Sequence, residues 1–367
     1  MSTIPIPERL LLGPGPSPVT PRIMRAMSSP ILSHLDPVMV TMLDDIRARL
    51  RRVFRAPDDA CCLAVPGTGT SGMEAAVANL TRRGTRAVAV VNGYFGERLV
   101  QMLERRGASV TRVDAEWGRA CDPALVARAL QAGADLVTVV HAETSTGVLN
   151  PVADICRIAA SGGAMTIVDA VTSLGAHPVE VAAWGADIVY SCTQKGLGAP
   201  SGLAPIAASR RAMAFGASMA ERPPFYLDLQ LLEDYWIRRK YHHTISAPLV
   251  YALHEALTVV EEEGLEQRWQ RHRETHAFFR DGLKTVPLDL LPPPDEQLWS
   301  LNAVRVPPSA DEARVRRHVL DEEQIEIGAG LGPLAGKIWR IGLMGSGATR
   351  ENADRLVAAL RAALPAS

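Results

Sequence analysis

The stretch Ala186-Asp-Ile-Val-Tyr-Ser-Cys-Thr-Gln-Lys-Gly-Leu-Gly-Ala-Pro-Ser-Gly202 decides how this chain is read. A β-prone run, Ile188 to Tyr190, leads into a turn crowded with Gly196, Gly198, Pro200 and Gly202. Turns of that kind deliver groups to the pocket at the strand ends of an α/β sheet. Lys195 sits in this turn. A lysine on a loop is ordinarily solvated surface, since lysines are almost never fully buried. The alternative is an amine desolvated until it is neutral and nucleophilic, as Schiff-base lysines are. A carboxylate at a comparable strand end upstream, Asp169 in Thr166-Ile-Val-Asp-Ala-Val, favours the second reading. It would supply the partner that the pyridine nitrogen of pyridoxal 5'-phosphate (PLP) requires.

Outward from this stretch, apolar strand-like runs alternate with helical patterns: Ala87 to Val91, Val110 to Val113, Leu136 to Val140, Met165 to Val168, Ile188 to Tyr190 and Leu203 to Ala207. The alternation predicts an α/β fold with a mostly parallel sheet covered on both faces. Leu43, Ile46, Leu50, Val53 and Phe54 recur at helical spacing with Arg47, Arg49 and Arg51 opposite, which is a core-facing stripe. Thr20-Pro21 and Asp122-Pro123 each offer a capping side chain before a first-turn proline, and Gly133 is expected to close the second helix. After a charged helix start at Glu261-Glu-Glu-Gly-Leu-Glu, the strand-like runs Leu301 to Val306 and Ile338 to Ile341 suggest a smaller α+β domain. The expected division is an arm over 1–19, a large domain over 20–263 and a small domain over 264–367.

At 367 residues the chain can bury a large core. Lys plus Arg at 39 against Asp plus Glu at 40 gives a net charge of −1, so no basic footprint for nucleic acid or an anionic membrane is expected. The start Met1-Ser-Thr-Ile-Pro-Ile-Pro-Glu has no signal-peptide pattern, no apolar stretch approaches membrane length, and the end Leu364-Pro-Ala-Ser is not a peroxisomal signal. A cytoplasmic enzyme is the expectation. The five cysteines form no CxxC pair and read as small apolar fillers.

Gly67-x-Gly69-x-x-Gly72 formally matches a dinucleotide fingerprint. That motif also wants an acidic residue about 20 positions on at a strand end, where this chain has Asn92, so NAD is disfavoured. The same strand-to-helix turn still exposes N–H groups at a positive dipole end, where a phosphate can sit. Arg340, inside the apolar run Ile338-Trp-Arg-Ile-Gly, cannot shed its charge, so its burial calls for an anion: an internal carboxylate or a bound one. In Tyr241-His-His-Thr the adjacent histidines are expected to point apart on a strand, which is no metal site.

Six segments in order, Gly67-Thr-Gly-Thr-Ser-Gly-Met-Glu-Ala-Ala, His141-Ala-Glu-Thr-Ser-Thr-Gly, Val168-Asp-Ala-Val-Thr-Ser-Leu-Gly, Thr193-Gln-Lys, Tyr241-His-His-Thr and Lys337-Ile-Trp-Arg-Ile-Gly, resemble the class V aminotransferases. Within them the chain is most similar to the alanine–glyoxylate and serine–glyoxylate group of fold type I PLP enzymes, from Leu11-Leu-Gly-Pro-Gly-Pro to the C-terminal helix. The resemblance implies that Lys195 binds the cofactor covalently and Asp169 pairs with its ring nitrogen. It further implies that Thr68, Gly69 and Thr70 cradle the phosphate, Phe95 and Val171 cover the two ring faces, Thr144 bonds the 3′ oxygen and Gln194 flanks the lysine. Arg340 and Gly15 would take the substrate, Arg340 by its carboxylate. Tyr241 and Thr244 would reach the partner's phosphate across a homodimer interface. The related cysteine desulfurases use a C-terminal cysteine, and none follows Cys192 here. A PLP lyase or racemase would share Lys195 and Asp169. The (S)-ureidoglycine–glyoxylate branch is the closest rival, but its members resemble one another in carrying Asn and Gln where this chain has Tyr241 and His34. Small neutral donors such as alanine or serine, with glyoxylate as acceptor, are therefore expected.

Overall fold

The computed structural model describes residues 4–364. Its central sheet has seven strands: β1 (Cys61–Pro66), β2 (Arg86–Val91), β3 (Ser109–Asp114), β4 (Leu136–Val140), β5 (Met165–Asp169), β6 (Ile188–Tyr190) and β7 (Leu203–Ala208). They lie in the order β1-β7-β6-β5-β4-β2-β3. β7 runs antiparallel to both of its neighbours, and the other paired strands are parallel. Six of the seven are the strands that the apolar runs predict. β1 is the addition: every residue from Cys61 to Val65 is buried, so it is a two-face-covered strand in which two cysteines take the place of the usual β-branched residues. The edge strand β3 is mostly solvated, and its Arg112 pairs with Glu97 and Asp114, which suits an unprotected edge.

Helix α1 (Pro37–Val53) buries Met39, Leu43, Ile46, Leu50 and Val53, the stripe read from the sequence. Asp122 caps the helix Pro123–Leu130 by accepting from the Ala124 N–H. Thr20 does not cap: it stands at the N-cap of Pro21–Met27, but its buried hydroxyl has no hydrogen-bond partner. Nor does Gly133 close its helix directly, because that helix ends at Leu130 and the left-handed Gly133 lies in the turn beyond it.

One hydrophobic cluster runs from Met39 to Val260 and holds the seven-stranded sheet. A second joins Leu12 to residues between Phe279 and Leu360. It is built on an antiparallel sheet, β8 (Leu301–Arg305), β10 (Ile338–Gly342) and β9 (Gly328–Ala329) in that order. The N-terminal segment packs with this second cluster, where Leu10–Leu11 pairs in parallel with Ile325–Glu326.

The junction at Glu261-Glu-Glu-Gly differs from expectation. The glutamates end a helix (Ala247–Glu263) rather than starting one, and Leu265–Leu283 begins after Gly264, whose φ of 82° a side chain rarely adopts. Glu263 then pairs with Arg268 and Arg271. Arg268 donates to the carbonyls of Gly175 and Gly196, and Arg271 to those of Gly345 and Ala348. One ion cluster therefore ties the loop after β6 to the loop after β10.

Candidate active site

Parallel neighbours bring the ends of β5 and β6 side by side, with Asp169 opposite Tyr190 in register. Asp169 is buried, with Oδ1 accepting from the Val171 N–H at 2.8 Å and Oδ2 from the Tyr190 hydroxyl at 2.7 Å. Burial pushes its pKa up to about 6, against which those two bonds and the Lys195 charge act, while the Glu143 charge adds to the rise.

Lys195 follows β6 and is 7% exposed. Burial brings its amine down to a pKa of about 8, with Cys192 opposing and Arg340 reinforcing the drop. The lysine's backbone is pinned: Ser17 Oγ donates to its carbonyl at 2.8 Å, and the Ser17 N–H donates to the Gln194 carbonyl at 2.9 Å. Gly15 lies against the lysine stem. A Cβ there would stand 2.7 Å from Lys195 Cε, and its φ is +118°, so both space and backbone require glycine.

The turn from β1 leads into α2 (Gly69–Leu80), which puts Thr68, Gly69 and Thr70 at a strand-to-helix turn, the candidate cradle. Thr68 is the N-cap of α2, yet its hydroxyl caps nothing; the Ser71 N–H donates to the Thr68 carbonyl at 2.8 Å, while the Gly69 and Thr70 N–H groups have no partner among the described residues. Thr70 Oγ1 accepts from Arg98 Nη1 at 3.0 Å, which leaves the threonine proton free to donate to an anion. Val171 packs on the cradle: a Cβ at Gly69 would stand 2.8 Å from Val171 Cγ2.

Phe95 lies in the first turn of α3 (Tyr94–Arg105), half-buried, with the Arg98 guanidinium 5.0 Å over its ring. The start of α3 is held by Glu143, which is fully buried and accepts from the Gly96 N–H (3.2 Å) and from Ser145 N (3.0 Å) and Oγ (2.6 Å). Burial raises the Glu143 pKa, and these donors counter it. Thr144 is buried beside it and hydrogen-bonds the Thr172 hydroxyl. Gln194 Oε1 is buried without a partner.

Arg340, on β10, is 8% exposed and donates from Nε to the Ala329 carbonyl at 2.7 Å. No carboxylate among the described residues forms an ion pair with it, so the internal salt bridge is not its role. Burial pulls its pKa down to about 10, and the Glu143 charge alone is set against that. The end of the fork remains available for a bidentate anion.

The chain does not bring every expected residue into this group. Tyr241 is 59% exposed, and its hydroxyl lies 3.5 Å from that of Thr244, with no hydrogen bond from either to the cradle. The adjacent histidines also depart from expectation, since residues 241–246 form no strand and the two rings meet, Nδ1 to Nδ1 at 2.8 Å. His242 Nε2 faces the Phe225 carbonyl at 2.9 Å, so it carries the proton there and its Nδ1 accepts from His243. No group of three metal-ligating side chains occurs among the described residues. The five cysteines are free and buried, with burial pushing Cys192 up to about 12, which agrees with inert fillers.

Tyr190, Glu143, Arg98 and Ser17 are the site neighbours that sequence reasoning missed. Tyr190 had a signal, because it ends its strand beside the strand that Asp169 ends. Glu143 had a weaker one, an acid set among buried hydroxyl residues. Together the site offers unpaired N–H groups and hydroxyls at a helix start, a buried carboxylate, a lysine of lowered basicity and an aromatic ring. These residues fit PLP, with Thr68, Gly69 and Thr70 for its phosphate, Asp169 for its ring nitrogen and Lys195 for covalent attachment.

The sequence profile described as aminotransferase class-V matches residues 23–355. The chain is 35% identical over 379 residues to an (S)-ureidoglycine–glyoxylate transaminase of Bacillus subtilis, covering 98% of this chain and 91% of that protein. It is 37% identical over 365 residues to an alanine–glyoxylate aminotransferase of Oryctolagus cuniculus, covering 98% and 93%. The crystal structure of an alanine–glyoxylate aminotransferase from Nostoc superposes with a TM-score of 0.96 at 40% identity, covering 99% of this chain and 97% of that one.

Proposed function

The chain belongs to the class V aminotransferases and is a PLP-dependent enzyme, and on that premise we propose that it transfers the amino group of a small neutral amino acid, alanine or serine, to glyoxylate. The observation that carries this reading is Arg340: a buried guanidinium with no internal carboxylate partner, electrostatically coupled to the Lys195 amine. It suits the α-carboxylate of an amino acid whose Cα lies near Lys195, and among the described residues no second buried, unpaired arginine is found beside it for a dicarboxylic donor.

When bound, PLP supplies a conjugated ring that accepts the electron pair released as a Cα bond breaks. The protein's residues do the rest. Asp169 keeps the ring nitrogen charged, the amine of Lys195 takes and returns the proton at the substrate Cα, and Arg340 fixes the carboxylate so that this proton faces the amine. Thr68, Gly69 and Thr70 hold the phosphate. Phe95 and Val171 would cover the cofactor's ring, Thr144 would bond its 3′ oxygen with Gln194 flanking the lysine, and Gly15 leaves room for the lysine stem.

Tyr241 and Thr244 stand exposed and adjacent, which supports a role in a partner's phosphate site within a homodimer. We place the domain division as an arm to residue 19, a large domain to 263 and a small domain beyond, supported by the two separate hydrophobic clusters and the break at Gly264. Among the described residues no helix is long and apolar enough to cross a membrane, and we propose a cytoplasmic location.

A panel of alanine, serine, glutamate, taurine and freshly generated ureidoglycine, each with glyoxylate and with pyruvate, tests the reading. Alanine or serine with glyoxylate should give the highest kcat/KM. Ureidoglycine exceeding alanine tenfold would overturn it in favour of the other branch, and the His34 and Tyr241 rings, 5.1 Å apart, would then be the place to look for the ureido contact.

A further inference from the structure

We propose that Tyr190 is the positioning residue that keeps Asp169 ionised and turned toward the ring nitrogen of the bound cofactor. The inference rests on the reading of Asp169 as that nitrogen's partner. Asp169 and Tyr190 end adjacent parallel strands in register, so the phenol reaches the carboxylate from a rigid sheet rather than from a loop. The Tyr190 hydroxyl donates to Oδ2 at 2.7 Å, while the Val171 N–H donates to Oδ1 at 2.8 Å, so the plane of the carboxylate is fixed from both oxygens. Tyr190 is wholly buried, and its ring backs onto α2, the cradle helix: a Cβ at Gly72 would stand 3.3 Å from the tyrosine Cβ. The phenol has no room to turn elsewhere.

A neutral donor held 2.7 Å from a carboxylate favours the charged form of that carboxylate. The other charged or titratable groups bearing on the pair come from three neighbouring elements. Glu143, just after β4, raises the pKa of both Asp169 and Tyr190. Lys195, after β6, lowers that of Asp169, and Arg98 on α3 lowers that of Tyr190. Cys192 feels the Asp169 charge and stays a thiol. Asp169 already stands near a pKa of 6, so at neutral pH it is ionised by a narrow margin that the phenol widens. Tyr190 itself is pushed well above the usual phenol range by burial and by the Asp169 charge, so it remains a donor throughout.

The test uses Tyr190→Phe and a near-isosteric variant carrying 3-fluorotyrosine at position 190, whose more acidic phenol is a stronger donor. Infrared difference spectra of the cofactor-free protein read the protonated carboxyl band of Asp169, identified by its loss in Asp169→Asn. Tyr190→Phe should move the midpoint of that band up by about one pH unit, the size of one hydrogen bond to a charged group. Fluorotyrosine should move it down. In the loaded enzyme the acidic limb of kcat/KM should shift the same way in each variant. A midpoint unmoved by both variants overturns the proposal, and the fluorotyrosine arm alone decides it where Tyr190→Phe does not fold. A shift in the cofactor-free protein with an unmoved limb would overturn it by the other route, because the reading of Asp169 itself would then have failed.

Discussion

A buried amine surrounded by protein dipoles gives up its proton more readily than one in water, and this chain has only four lysines, Lys195, Lys240, Lys284 and Lys337, on which to see it. Lys195 alone is buried. Small amine-reactive reagents attack only the neutral form, so in cofactor-free protein Lys195 should be modified with a midpoint near pH 8, as its lowered pKa dictates. Peptide mass mapping across pH checks this, and a Lys195 midpoint no lower than that of a free lysine amine would refute the desolvated amine. Asp169 is the opposite case. Its folded pKa of about 6 lies above the unfolded value, so the stability tied to its protonated form is present at low pH and is lost as pH rises through 6. Cofactor-free Asp169→Asn should thus be more stable than wild type at pH 8, by at most about 3 kcal/mol in chemical denaturation, although inactive. Arg340→Ala should raise KM for both substrates, since losing a buried bidentate pair costs about 2–5 kcal/mol, and an unchanged KM for alanine and glyoxylate would contradict it. Lys195, Asp169 and Arg340 were legible because each is an ionisable group in an apolar setting. Tyr190 offered only its place at a strand end, which is ordinary for a tyrosine until its register partner is known.

At the scale of elements, the start of α2 would take the cofactor's phosphate. It presents the unpaired Gly69 and Thr70 N–H groups, and Arg98 on α3 bridges that start to the Phe95 ring. Arg98→Met should therefore weaken PLP binding to cofactor-free protein several-fold, consistent with about 1 kcal/mol for a half-exposed cation beside an anion and a ring. Fluorescence titration measures it, and unaltered affinity would separate Arg98 from the cradle. Period and burial made the parallel strands and the α1 stripe readable. Capping was less so: Asp122 and Thr20 offer the same local pattern, but only Asp122 turns its oxygen onto the backbone, and nothing in the sequence distinguishes them. The three glutamates at 261–263 read as a helix start because acids favour that end, whereas here arginines from Pro21–Met27, from α1 and from Leu265–Leu283 pair with them.

Across the whole molecule, the Glu263–Arg268–Arg271 cluster ties the Lys195 loop to the strand loop of Arg340, a link between residues far apart in sequence that no local pattern announces. Assembly is argued at the same scale. If Tyr241 and Thr244 complete a partner's phosphate site, then mixing inactive Lys195→Ala with an inactive Tyr241→Phe/Thr244→Val variant should restore activity, because one hybrid site holds every group. Sedimentation of a fully active monomer would end that proposal. The account as a whole stands on Lys195 as the point of attachment. Borohydride reduction of the PLP-loaded protein, followed by digestion and mass mapping, should place the cofactor's mass on the peptide containing Lys195 and on none containing Lys240, Lys284 or Lys337. A reduced adduct on one of those three, with Lys195 unmodified, would contradict it.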